Sequence, residues 1–405
     1  MKLFLKIFGA LLFLILLAVG GFLADIQVTG IPRYKPGNIS LSVAVTPQRV
    51  ARGKIIANML CDECHMNSQT GRLTGHRLTD LPPEFGVAYS RNITRDSQYG
   101  IGGWTDGEIA YLLRTGIKRD GRYSPPWMVK LPRLADEDIY SIIAYLRSDD
   151  SAVQAAPVPD SESAPTFLVK FLCHVAFKPF PYPDHPIQAP DPADKVAYGK
   201  YVVQDEVDCF ACHSASFKTL DEVHPEKTGG YFGGGNPMPG LDGVIVYSAN
   251  LTPDSTGIGA WSEDDFVRTL REGIRPDGRP LRYPMVRYPE FSDSEARAIY
   301  AYLKTVPPLH NAVERNFQDF GAQGADGKTL YHKYGCVACH NESGVGLGDL
   351  TRSKVDFPSD SSLKAWIQNA PSFKPLTKMP PFKDVIEEQD YLPLIAYVRQ
   401  LSHAP

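Results

Sequence analysis

Several common function classes are excluded by what this sequence does not contain. Its formal net charge of −4 leaves no basic footprint, so no nucleic-acid partner is expected. No phosphate-binding loop, Ser/His/Asp arrangement or pair of carboxylates stands at a spacing that marks a catalytic centre. Methionine is scarce, with seven in 405 residues, and cysteine is equally so. What is plentiful is ordinary for a folded chain, with 43% hydrophobic and 22% charged residues. Glycine and proline, 34 of each, predict many turns and linkers, and the length predicts two to four domains.

The N-terminus carries Lys2 and Lys6, then 18 uncharged and largely apolar residues from Ile7 to Ala24. A cleaved signal has an apolar stretch of about 7–15 residues, whereas a spanning helix needs roughly 17–25. Length therefore favours an uncleaved anchor over a cleaved signal peptide for residues 1–24. The first cysteine, Cys61, is too distant for a lipid-anchored N-terminus. Lysines ahead of the span place the rest of the chain outside the cytoplasm, on the periplasmic face of the inner membrane.

Six of the seven cysteines form Cys-x-x-Cys pairs, each followed at once by histidine. They are Cys61, Cys64 and His65 in "CDECH", Cys209, Cys212 and His213 in "CFACH", and Cys336, Cys339 and His340 in "CVACH". This is the attachment signature of c-type haem. Two thiols one helical turn apart form thioethers to the two vinyl groups of one porphyrin. The next residue then offers its imidazole to the iron. Structural zinc would need two pairs per ion, or one pair with two histidines at finger spacing. Thioredoxin-like redox pairs need no histidine, and plain disulfides explain neither the histidine nor the repetition. Three covalent haems are expected. Cys173, in "KFLCHVAFKPF", lacks a partner three residues earlier and reads as a buried or lipid-facing thiol in a linker helix.

The first two haem segments repeat downstream. "NITRDSQYGIGGWTD" with "GIKRDGR" matches "NLTPDSTGIGAWSEDD" with "GIRPDGR", and past Tyr99 the offset is 157. All three segments end in a similar amphipathic helix, "IIAYLRS", "AIYAYLKT" and "LIAYVRQL". Each begins with a helical pattern opened by Gly-Lys, at Gly53, Gly199 and Gly327. Two such helices per haem can cross where a small residue permits close approach. The expected fold is all-α, with three tandem domains at 45–150, 190–308 and 322–403 after the N-terminal helix, joined by proline-bearing linkers.

His/Met ligation suits electron transfer, so each segment is expected to supply a methionine. Met128, Met285 and Met379 each precede the final helix of a segment and are flanked by prolines, and Met128 falls on Met285 at the 157-residue offset. Met59 and Met66 lie too close to the first motif to reach the opposite haem face. Met238, in "GGGNPMPG", is a competitor for the second haem, although the matching loop of the first segment has no methionine. Alternative ligands are His76, His185, His224, His310, His332 and His403, of which His332 is too near Cys336. Asn92, Asn250, Trp104 and Trp261 are candidates for haem-edge contacts or for structural roles in the turn.

With these motifs in hand, residues 45–308 resemble the three-haem cytochrome c subunits of membrane-bound alcohol, aldehyde, gluconate and related sugar dehydrogenases. That resemblance implies that each motif histidine and its matching methionine bind haem iron. The stretch from Gly327 to Leu401 resembles a generic small cytochrome c instead. There "GLGDL" (346–350) occupies the place where the broader family often has Gly-Pro-x-Leu, so the proline that helps orient the proximal imidazole is missing. The chain also stops just after its last helix, with no amphipathic tail for a membrane surface. The expected function is electron relay without catalysis of its own. Electrons would pass from a dehydrogenase partner to quinone or a terminal oxidase. The alternative is a haem enzyme with one open site, such as a peroxidase or sulfur-compound oxidoreductase.

Overall fold

The computed structural model describes residues 1–79, 81–314 and 326–402, which fall into two compact units, Met1–Gln188 and Ala189–Pro405. The first unit opens with the apolar helix α1 (Lys2–Thr29). This helix runs five residues past the segment expected from sequence, because nothing interrupts it before Gly30, whose φ of 73° ends it. There follow α2 (Pro47–Leu60), α3 (Asp62–His65), α4 (Asp106–Thr115), α5 (Asp136–Leu146) and α6 (Phe167–Val175). A small antiparallel sheet joins β1 (Arg77–Leu78), β2 (Gly86–Tyr89) and β3 (Ala164–Pro165) in that order.

The second unit contains α7 (Lys195–Tyr201), α8 (Cys209–Cys212), α9 (Glu263–Glu272), α10 (Asp293–Leu303), α11 (Gly327–Lys333), α12 (Cys336–His340), α13 (Ser353–Asp356), α14 (Asp360–Phe373) and α15 (Tyr391–Leu401). A hairpin pairs β4 (Pro237–Pro239) with β5 (Ile245–Tyr247). The molecule is thus mostly helical. The five short strands depart from an all-α fold: β1–β2 and β4–β5 form where the loop after a haem motif doubles back on itself, and β3 is added by the segment that follows α5.

The repeated "GGWTDGE" and "GAWSEDD" segments encode helix starts. Thr105 with Glu108 and Ser262 with Asp265 make reciprocal capping boxes on α4 and α9. Gly116 and Gly273, both left-handed, stop those helices at matching positions.

Three helix pairs cross: α2 with α5, α7 with α10, and α11 with α15. At each crossing the glycine of the Gly-Lys pair lies against the partner's backbone. A Cβ on Gly53 would sit 1.8 Å from the Ser141 carbonyl oxygen, on Gly199 1.9 Å from that of Ala298, and on Gly327 2.2 Å from that of Pro393. The three acceptors each stand three residues before the Ala-Tyr of the closing helix, so the crossings are equivalent. The stretch beginning at α11 has its own core, built on Leu330, Tyr331, Leu363, Leu394 and Ile395. The expected boundaries at 322 and 403, and with them His403, lie outside the described residues.

Candidate haem-binding sites

Each motif histidine is oriented the same way. Nδ1 lies 2.7 Å from the Arg91 carbonyl oxygen for His65, 2.8 Å from that of Ala249 for His213, and 3.0 Å from that of Gly348 for His340. A carbonyl only accepts, so Nδ1 carries the proton and donates it, and Nε2 keeps its lone pair for a metal. Burial lowers the pKa of all three imidazoles below the ordinary histidine value, outweighing the opposing effect of the carbonyl contact. They are therefore neutral at pH 7, as a ligand must be.

Burial also pushes the Cys61, Cys209 and Cys336 thiols up to about 12 and Cys339 to about 11. None of the seven cysteines is in a disulfide. Desolvated thiols, half-buried except for the exposed Cys212, beside a neutral imidazole with a free Nε2 fit covalent haem. They do not fit a thiolate nucleophile.

Gly348 answers the question raised by the missing proline. Its carbonyl takes the orienting contact, and the absence of a side chain lets the backbone approach, since a Cβ there would stand 3.0 Å from His340 Cε1. Sequence reasoning did not find the Arg91, Ala249 and Gly348 carbonyls as functional groups. Backbone acceptors leave no residue-type signal.

The methionine loops of the first two segments share one hydrogen-bond pattern. Met128 N–H donates to the Pro125 carbonyl and Met285 N–H to that of Arg282, at 3.1 and 3.0 Å. The bond from Leu131 to Leu113 and that from Tyr288 to Leu270 are both 2.7 Å, as are those from Ser124 to Gly116 and from Leu281 to Gly273. The register of the hairpins places Met238 differently. Leu78 pairs with Ala88, and Met238 pairs with Val246. Met238 thus occupies the position of Leu78, and both are buried, at 9% and 8% exposure.

Met379 is held by another device. Lys378, the residue before it, reaches Glu290 at 2.8 Å and lies over the Tyr288 ring at 5.2 Å. Glu290 is 2% exposed at its side chain, so a residue following the Met285 loop grips the Met379 loop. Glu290→Ala is expected to cost about 2 kcal/mol, a buried-pair value discounted because Lys378 is partly solvated. The denaturant midpoint of the holoprotein would report it.

Among the described residues, the other candidate histidines are engaged elsewhere. His76 meets backbone oxygens at both ring nitrogens, His332 contacts Glu342 at 2.9 Å, and His310 contacts Asp254 at 3.2 Å. His185 and His224 lie beside Asp184 and Asp221 in exposed positions. Asn92 and Asn250 are structural. Their amides donate to Ala156 and Leu309 carbonyls on the chain leaving each segment, and their oxygens accept from Thr94 and Thr252. The Trp104 carbonyl accepts from Arg147, which caps α5, and the Trp261 carbonyl from Tyr300 of α10. Cys173 is fully buried beside Val169 and Tyr123, and its thiol is raised to about 11 by that burial.

Cys-x-x-Cys-His segments with imidazoles pre-oriented through Nδ1 define a c-type cytochrome, a protein of electron transport. Comparison with known proteins agrees. Residues 322–398 match the family described as cytochrome C oxidase, cbb3-type, subunit III. The chain is 41% identical over 324 residues to the gluconate 2-dehydrogenase cytochrome c subunit of Pantoea cypripedii, covering 74% of this chain and 71% of that one. It is 27% identical over 387 residues to the cytochrome c subunit of the quinone-type alcohol dehydrogenase of Gluconobacter oxydans, covering 87% and 78%. To the fructose dehydrogenase cytochrome subunit of Gluconobacter japonicus it is 28% identical over 337 residues, covering 74% and 65%. The chain belongs to the family of cytochrome c subunits of membrane-bound dehydrogenases. Members of this family transfer electrons for a catalytic partner and are not themselves the catalysts.

Proposed function

We propose that the chain binds three haem c groups and relays single electrons between a dehydrogenase and a quinone or terminal oxidase on the periplasmic face of the inner membrane. The covalent attachments are Cys61 and Cys64, Cys209 and Cys212, and Cys336 and Cys339. The residues that would bind the irons are His65 with Met128, His213 with Met285, and His340 with Met379. Each haem when bound supplies a one-electron couple. The chain orients the imidazole and keeps it neutral.

The observation that carries this reading is its threefold recurrence: one Nδ1-to-carbonyl contact per motif and one glycine crossing per helix pair. The shared bond pattern around Met128 and Met285 supports those two as equivalents. Met238 on the Leu78 position reads as a packing residue, so Met285 is preferred for the second haem. Three tandem cytochrome domains follow from the same recurrence. Lys2 and Lys6 at the start of α1 support the orientation, and the helix's length and composition suit a span.

Denaturing mass spectrometry of the purified chain should give the polypeptide mass plus three haems. Optical and paramagnetic-resonance spectra should show only low-spin, six-coordinate iron. A lower haem count or a persistent high-spin signal would sink the three-carrier reading.

A further inference from the structure

We propose that α6 lies in the membrane interface with its outer face against lipid, giving the Met1–Gln188 unit a second contact with the bilayer beside α1. The proposal rests on the reading of α1 as a membrane anchor.

The sequence of α6, "FLVKFLCHV", is apolar on most of its circumference. At 100° per residue, Phe167, Leu168, Phe171, Leu172 and Val175 cover an arc of about 140°. Val169 and Cys173 lie beyond it, and Lys170 and His174 fill the remainder. Only the Val169 and Cys173 edge is buried in the unit, against Tyr123, Tyr34, Phe85 and Trp127. Phe167, Leu168 and Val175 stay 41%, 43% and 46% exposed, and Phe171 and Leu172 are half-buried. Scattered exposed apolar residues need no explanation, but a continuous helical stripe does.

The position of α6 identifies what covers that stripe. It packs on α1, and His174 Nε2 lies 3.0 Å from the carbonyl oxygen of Gly30, the residue that ends α1. Through the preceding apolar stretch α1 is bare, whereas Ile26 near its end is fully buried. A helix of 28 residues is about 42 Å long, against a hydrocarbon core of about 30 Å. With Lys2 and Lys6 in one headgroup layer, the core extends from Ile7 for about 20 residues, to Ile26. The last turn of α1, and α6 packed on it, therefore sit at the opposite boundary of acyl chains and headgroups. An amphipathic helix with bulky apolar residues on one face and lysine on the other is suited to that depth. Lys170 and Lys178 complement anionic headgroups there.

The test uses the full haem-loaded chain reconstituted in nanodiscs of phosphatidylethanolamine and phosphatidylglycerol. A nitroxide is attached at Leu168→Cys, and separately at Val158→Cys, an exposed position before α6. Collision with oxygen and with a water-soluble nickel chelate reports depth. The label at 168 should favour oxygen and report about 5–10 Å below the headgroups, while the label at 158 remains open to nickel. Equal nickel access at both positions would overturn the inference and leave the anchor reading intact. So would a label at 168 that is shielded from both reagents only when the dehydrogenase partner is added. Failure of the chain to associate with the nanodiscs would sink the anchor reading and this inference with it.

Discussion

Met285→Ala is expected to abolish the sulfur-to-iron charge-transfer band of one haem and to lower that haem's potential on the order of 0.1 V, a fraction of the ~0.8 V that axial ligands command. A thioether ligand would favour ferrous iron, and its loss would leave that position to water or a weaker donor. The other two bands should survive, because Met128 and Met379 stand in separate loops. The site is close to structurally neutral: Met285 is half-buried, and the loop bonds from Leu281 and Tyr288 are made by backbone. A potentiometric titration followed in the near-infrared would resolve the single altered component. If all three bands remained, the ligand would have to be another side chain, and Met238→Leu would be the next variant. As matters stand that change copies Leu78 of the first hairpin, so it should leave every band in place and cost less than about 1.5 kcal/mol.

The largest stability loss is expected from Gly199→Val. Even the first added carbon would lie 1.9 Å from the Ala298 carbonyl oxygen and 2.5 Å from its carbon. Neither atom can yield, because both belong to the backbone of α10. Helices α7 and α10 would have to separate, unpacking the buried Tyr201, Val202 and Ile299. Overpacking of a core usually costs about 1–3 kcal/mol, and a clash of backbone with backbone exceeds that range. The expected result is little or no holoprotein with three haems, and a denaturant midpoint far below wild type for any that is recovered. Gly53→Val and Gly327→Val should behave alike, since their distances are 1.8 and 2.2 Å. A tolerated valine at any of the three would refute the crossing geometry there.

The haem motifs were legible in sequence because covalent chemistry requires residue types at a fixed spacing. Gly53, Gly199 and Gly327 were legible for a related reason, as only glycine permits that approach. The histidine acceptors were not, since Arg91, Ala249 and Gly348 act through carbonyls, whatever their side chains. The equivalence of Leu78 and Met238 was hidden by the hairpin connections, where Leu78 pairs ten residues ahead with Ala88 and Met238 eight ahead with Val246. The strands themselves are too short to raise a period-two pattern. The pairing of Glu290 with Lys378 joins loops that no motif connects. The uncharged run ends at Ala24, while helical backbone continues past Asp25 to Thr29 because backbone helicity does not depend on an apolar composition.

That last-named loop pairing has a thermodynamic consequence. Lys378 and Pro380 flank Met379, and they rest on Glu290, Tyr288 and Gly273 of the preceding segment. Fraying of either loop strips neighbours from the other, so their local opening energies are linked. Residues 189–405 should then melt in one transition with coincident loss of both segments, as a single cooperative block rather than as two independent beads on a string.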